Sequence, residues 1–205
     1  MISVNDKDYK AIILSGASKG FDEMVAHLCA KYPEHKHVIC IPPSDPQVKK
    51  VVPLTQAQLN VGMPEVQRAG LALGRLVSKS ATWPYLQRNA HLVTHAKQVF
   101  AFGHFDYMRK HVEGGVGWTV QMAKQRNVLL FVFDLDFEEW WWWDPKEKCF
   151  LQCEGMSEQW IAVPTLAGMT ALVGSQDTSP SIMPHLERLF RKPSTPSGTF
   201  TFKCV

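Results

Sequence analysis

The stretch whose reading decides the fold is "EGGVGWTVQMAKQRNVLLFVFD", Glu113 to Asp134. Its glycines make a tight turn, a helical pattern follows from about Gly117, and "VLLFVF" (128–133) is a continuous apolar run of strand length. Turn, helix and buried strand in that order make one unit of an α/β sheet. A glycine turn that opens a helix also offers backbone N–H groups and the positive end of the helix dipole, which together suit a phosphate. That helix carries no carboxylate. Binding and chemistry are therefore separate questions for this chain.

Working outward, the same kind of unit recurs. "AIILS" (11–15) is an apolar run broken by "GASKG" and followed by a helix on which Phe21, Met24, Val25, Leu28 and Tyr32 share one face. "HVICI" (37–41) is the next strand, so strand, helix and strand predict a right-handed parallel crossover. Pro64 is a good first helical residue for "EVQRAGLALGRLVSKS", and after "TWP" the segment "YLQRNAHLVTHA" is a second helix. "QVFAFG" (98–103) is a strand ending on Gly103, and the polar connection "HFDYMRKHVE" leads back to the opening stretch. Near the C-terminus "MTALVGSQDTSPSIMPHLERLFRK" gives a strand, Gly174 and Ser175 at its end, a polar turn, and a helix with Ile182, Leu186, Leu189 and Phe190 on one face.

This alternation predicts an α/β fold, a Rossmann-like open parallel sheet with helices on both faces and a ligand crevice beyond the carboxyl ends of the strands. The turns at Gly16 to Gly20, Gly103 and Gly114 to Gly117 are expected to converge there. Residues 135–167 depart from the pattern, with acidic turns, aromatics and "KCFLQC", and are expected to form an insertion or a small antiparallel ribbon within one domain spanning 1–205. The alternating tail "PSTPSGTFTFKCV" is expected to add an edge strand. In a strand Trp140 and Trp142 point one way and Trp141 and Trp143 the other. Base stacking, a lid, a subunit interface, or packing on two different faces would each use that surface.

Composition narrows the classes. The 205 residues are 45% hydrophobic and 20% charged, as in globular domains. Twenty-two basic and 19 acidic residues give a net charge of +3 without a block of like charges, so nucleic acid is not an expected partner. "MISVNDKDYK" lacks a signal pattern and no apolar run approaches the ~20 residues of a membrane span, so a cytoplasmic protein without a membrane partner is expected. Five cysteines without a Cys-x-x-Cys pair fit a reducing compartment and buried thiols. His91 and His95 share a helical face with Arg88, but no glutamate lies between them and no further ligand spacing recurs, so neither a metal nor another cofactor is expected.

Three segments, "SGASKGFDEMVAHLCAK", "QRNAHLVTHAKQVFAFG" and "GGVGWTVQMAKQRNVLL", together resemble the motifs of the SLOG superfamily of Rossmann-like nucleotide-binding proteins, which includes DprA and the lonely-guy phosphoribohydrolases. The closest pattern is that of a large bacterial group with a Gly-Gly-Ala-Arg-Gly-x-Asp turn, an Arg-Asn helix start and a Gly-Thr turn leading into a Thr-Ile-x-x-Ala helix. Here those motifs become Gly16 to Asp22, Arg88-Asn89, and Gly115 to Gly117 followed by Thr119 to Ala123. That group opens with a strand ending in Gly-Ser-Arg, which is missing before "AIILSG"; "TALVGSQDTSPSIMPHLERLF" looks like that opening unit, placed there by a circular permutation or as an equivalent strand supplied from the other end.

The resemblance implies a phosphate cradle at Gly114, Gly115, Gly117 and Thr119, a second wall at Gly16, Ser18 and Lys19, and a third at Gly103 and Gly174-Ser175. Arg88 matches the arginine, and Gln121 the glutamate, that work on the N-glycosidic bond in the lonely-guy enzymes. Trp118 stands where that motif has threonine, and Glu113 where it has proline. A glutamine orients hydroxyls or water but is neither a carboxylate nucleophile nor a general base. In the register of the nucleoside deoxyribosyltransferases the catalytic position falls on Thr119, again not an acid. The expectation is a protein, homodimeric by resemblance, that binds a nucleotide or ribosyl-phosphate small molecule without cleaving it. The alternative is a nucleoside 5′-monophosphate phosphoribohydrolase using Arg88 and Gln121, with Glu113, Asp22 or Asp106 as relocated acid. Asp22 also has a plainer reading, as a carboxylate at the positive end of its helix.

Overall fold

The computed structural model describes residues 9–43, 51, 53–75, 82–108, 110–153, 166–191 and 202–204. In chain order the first elements are β1 (Ala11–Ser15), α1 (Phe21–Lys31), β2 (His35–Ile39), α2 (Gln56–Val61), α3 (Met63–Ala72) and α4 (Trp83–His95). Next come β3 (Gln98–Gly103), a small ribbon of β4 (Phe105–Asp106) and β5 (His111–Val112), α5 (Gly114–Gln125) and β6 (Leu129–Asp134). The chain closes with β7 (Glu139–Asp144), β8 (Cys149–Cys153), β9 (Gly168–Gly174), α6 (Met183–Arg188) and β10 (Phe202–Cys204).

One sheet of eight strands runs in the order β10-β8-β7-β6-β3-β9-β1-β2. From β2 to β6 every neighbour is parallel, and β7, β8 and β10 continue the sheet antiparallel. The doubly wound order 3-2-1-4-5-6 places the first strand of the chain at the centre. Here β9 takes that place, pairing with β1 through Ala11↔Gly168 and with β3 through Gln98↔Thr170. The C-terminal strand and helix thus fill the position of an opening unit, and the fold is the expected Rossmann-like α/β sheet.

The inner parallel strands are rich in apolar residues because both faces are covered; every residue of β1 and of β3 is buried, whereas the edge strand β2 is half-buried. On one face α1, α6 and the turn after it bury Phe21, Leu28, Leu186 and Phe190 against Ile13, Phe100 and Phe102. On the other, α2 to α5 bury Leu59, Val66, Leu92 and Val120 against Leu14, Val99 and Val132.

Several boundaries differ from expectation for local reasons. α5 begins at Gly114, one turn before Gly117, because Gly114 turns into the helix at φ +59° and the Gly117 N–H already donates to the Glu113 carbonyl at 3.0 Å. α2 is an additional helix with one buried apolar residue, Leu59; its start is fixed by a capping box in which the Gln58 N–H donates to Thr55 Oγ1 at 3.2 Å and the Thr55 N–H to Gln58 Oε1 at 2.8 Å. β2 ends at Ile39 rather than Ile41. Residues 139–153 are two strands that extend the main sheet itself, and 154–165 lie outside the described residues.

The tryptophan run alternates as a strand must. Trp140 is buried edge-on to Phe100, Phe102 and Phe133, with Trp142 packed on the same core, while Trp141 stacks on Phe105 and Trp143 lies on the opposite face under the Lys124 ammonium, 4.1 Å from its ring centroid. The run is core on both faces of the sheet. Cys29, Cys40 and Cys153 are free thiols, whereas Cys149 is disulfide-bonded, contrary to the expectation of thiols only. Among the described residues no helix is long and apolar enough to cross a membrane.

Candidate functional site

A cavity of about 750 Å³ opens at the carboxyl ends of β1 and β9, within the size range of small-molecule sites. Its walls come from the turn after β1, the first turns of α1 and α4, the start of α5, and the loop after β9.

The β1 wall is built around Gly16. A Cβ there would lie 1.6 Å from Arg88 Nη1 and 2.4 Å from Asp22 Oδ2, so only glycine lets the guanidinium of α4 and the carboxylate of α1 lie against this turn. Asp22 Oδ2 accepts the Ser18 N–H at 2.8 Å and stands 4.0 Å from Arg88 Nη1. Burial raises the Asp22 pKa, opposed by the Arg88 charge and by backbone N–H donors at Ser18 and Gly16. The turn is then fixed against the β9 loop: at Gly20, with φ +77°, a Cβ would lie 2.4 Å from the Gln176 carbonyl oxygen. Behind it Ser15 Oγ and His37 Nε2 are 2.7 Å apart, and burial holds the His37 pKa down to about 4.

The β9 wall depends on Gly174, where a Cβ would fall 2.1 Å from the Phe21 ring. The absent side chain lets α1 close on the sheet and leaves Ser175 at the rim, its N–H donating to the Phe102 carbonyl at 3.0 Å and its own carbonyl accepting Thr178 Oγ1 at 2.6 Å. Asp177, also on the lining, faces His104 Nε2 at 3.6 Å, and Asp136 Oδ1 approaches His104 Nδ1 at 2.9 Å. Burial works against a charged His104, but the two carboxylates outweigh it and its pKa is raised.

The third wall is the start of α5. The Glu113 N–H donates to the His104 carbonyl at 2.9 Å, which pins the turn, and a Cβ at Gly115 would meet nothing within 4 Å. The backbone of Gly115 therefore stands open to the cavity. Asn89 Nδ2 donates to Thr119 Oγ1 at 2.9 Å and locks α4 to α5.

Of the residues singled out from sequence, Gly16, Ser18, Asp22, Arg88, Gly115, Gly174 and Ser175 line this cavity together. The others lie off its lining. Gly103 packs beneath Val112 and Val116, and a Cβ at Gly117 would be 1.8 Å from the Val112 carbonyl oxygen, so both serve close packing of α5. Thr119 is fully buried, Gln121 is half-buried on α5, Glu113 is exposed with no side-chain cap bond, Gly114 makes the turn, and Lys19 is exposed. Asp106 is on β4, off the lining. Thr82, Tyr85, Leu86, Val116, Val173, Gln176 and Asp177 complete the lining, together with Asn89 of the Arg88-Asn89 pair. Tyr85 and Asn89 occupy the first turns of α4 beside Arg88, and Gln176 and Asp177 directly follow Gly174-Ser175, so adjacency in sequence was the available signal.

Among the described residues no three His, Cys, Asp or Glu side chains come together as a metal site. The His91 and His95 rings lie 4.2 Å apart, tilted by 43°, and burial, aided by His95, lowers the His91 pKa to about 4. Fold and cavity define an α/β open-sheet protein with a ligand-sized crevice at the topological switch point between β9, β1 and β3. No family model matches the chain, and no curated protein or solved structure matches it either.

Proposed function

We propose that this chain binds a nucleotide or nucleotide-derived ribosyl phosphate in the crevice and does not cleave it. The observation that carries this reading is the convergence of the β1 turn, the β9 loop, Arg88 and the open start of α5 on one volume of about 750 Å³. Backbone N–H groups at the start of a twelve-residue helix suit a phosphate, and the aromatic ring of Tyr85 and the side chain of Leu86 give a base an apolar wall. Neither Gln121 nor Glu113 stands on the lining, so the residues at the matching motif positions supply no carboxylate to a glycosidic bond. A hydrolase reading rests on different acids, Asp22 and Asp177, which do line the crevice. The homodimer implied by resemblance belongs to this proposal too; Val61 and Leu71 give α2 and α3 exposed apolar surface, and light scattering at two concentrations decides it.

The test is a thermal-shift series with nucleoside mono-, di- and triphosphates, NAD and ADP-ribose, each ligand recovered and chromatographed afterwards. A ligand specific for the folded chain raises the melting temperature by mass action. Stabilisation with intact ligand supports binding without cleavage; released base overturns it in favour of the hydrolase.

A further inference from the structure

We infer that Asp22 is the residue that reads the sugar, its carboxylate accepting a hydrogen bond from a hydroxyl of the vicinal pair of a ribosyl ligand whose phosphate lies at the start of α5. The inference rests on the nucleotide reading above and assigns to Asp22 a role beyond that of a helix-end carboxylate.

Asp22 is nine-tenths buried and still on the cavity lining, so its side chain faces the ligand volume rather than bulk water. A carboxylate has about four acceptor sites. The Ser18 N–H takes one, on Oδ2 at 2.8 Å, and the Gly16 N–H and the Ser18 hydroxyl engage two more, while Arg88 Nη1 stands 4.0 Å from Oδ2, which leaves one acceptor site for a ligand hydroxyl. The turn is built to keep the group there: Gly16 clears the space that Arg88 and Asp22 occupy, and Gly20 binds the turn to Gln176. A carboxylate beside a phosphate would repel it, so the two must meet different parts of one ligand. The open backbone at Gly115 lies on α5 and Asp22 on α1, and the cavity separates these walls. A ligand joining an anionic end to hydroxyl donors satisfies both, and ribose 5-phosphate is the smallest such group in a nucleotide. Arg88, close to Asp22, moderates the cost of holding a buried carboxylate between ligand visits.

The experiment is calorimetric titration of the full chain with AMP, ribose 5-phosphate, 2′,3′-dideoxy-AMP and inorganic phosphate, in wild type and Asp22→Asn. A charge-assisted hydrogen bond lost with the diol predicts at least about tenfold weaker binding of the dideoxy nucleotide to wild type. Asp22→Asn, which keeps the acceptor for the Ser18 N–H, is expected to shrink that ratio to about twofold or threefold while inorganic phosphate binds as before. Wild type that binds AMP and its dideoxy form alike, or a variant that keeps the full ratio, overturns the sugar assignment and leaves the nucleotide reading standing. Wild type that binds none of the ribosyl phosphates overturns both. If Asp22→Asn fails to fold, comparison of 2′-deoxy-AMP with 3′-deoxy-AMP on wild type keeps the test: tenfold loss from either supports it, loss from neither overturns it.

Discussion

The five parallel strands and the three antiparallel ones form a single sheet, yet glycine gathers in the turns of the first group and tryptophan in a strand of the second. At Gly16, Gly20 and Gly174 the missing side chain makes room for a guanidinium, a carbonyl and a phenyl ring at the crevice wall. In β7 four large rings close both faces of the sheet away from it. One region leaves volume where a ligand can enter, and the other removes volume so that the sheet holds its shape. If that division is right, substitutions in the two regions separate binding from stability.

The largest effect is expected from Trp140→Ala, which empties a fully buried site among Phe100, Phe102 and Phe133 and should lower unfolding free energy by about 3–5 kcal/mol, read from urea denaturation. Gly117→Ala sharpens the contrast from inside the glycine group. Its Cβ meets the Val112 carbonyl, so it should behave like a core mutation, costing about 1–3 kcal/mol by overpacking. Gly16→Ala belongs to the crevice: it displaces the Arg88 guanidinium, and ligand affinity should fall by about tenfold or more, by calorimetry, with a smaller loss of melting temperature. Equal losses in both readouts would break the division.

A pH series tests the packing of the crevice side. Burial lowers the pKa of His37 and of His91 from 6.5 to about 4. The unfolded chain takes up these protons as pH falls below 6.5, and the folded chain only near 4. Stability should therefore be level above 6.5 and fall as pH drops from 6.5 toward 4, and His91→Gln should flatten part of that slope in urea midpoints. The smallest effect on stability is expected from Gly115→Ala, whose Cβ meets open space in a helix. The melting temperature should hold or rise by the equivalent of about 0.4–1 kcal/mol, while a phosphate-bearing ligand, now facing a methyl group, binds more weakly.

Much of the fold is legible in the sequence because its strands are fully covered. "AIILS" and "QVFAFG" are apolar but for Ser15 and Gln98 and end at Ser15-Gly16 and Gly103, so type and boundary coincide with β1 and β3. α2 is not legible by periodicity, since Leu59 is its one buried residue; the Thr55 to Gln58 capping box was the readable feature. The site divides in the same way. Turns at strand ends point to Gly16, Gly174 and Gly115, but a glycine string does not say which member clears space for a ligand and which for a neighbouring backbone, and Gly117 and Gly103 belong to the second kind. Asp22 is ambiguous in sequence because a first-turn carboxylate is common at any helix; only its burial beside Arg88 distinguishes it.

The central position of β9 has a consequence for how the chain is made. Ala11 must wait for Gly168, and Gln98 for Thr170, before either strand gains its inner neighbour. Until the ribosome has delivered that segment, β1 with β2 and β3 with β6 are two sheet fragments, each with an apolar edge whose backbone groups lack a partner. Pairing across such a span closes a large loop and is slow, and open edges invite association with other chains. Translation order and sheet order are opposed here: the keystone strand arrives only after all four of its parallel companions have been made.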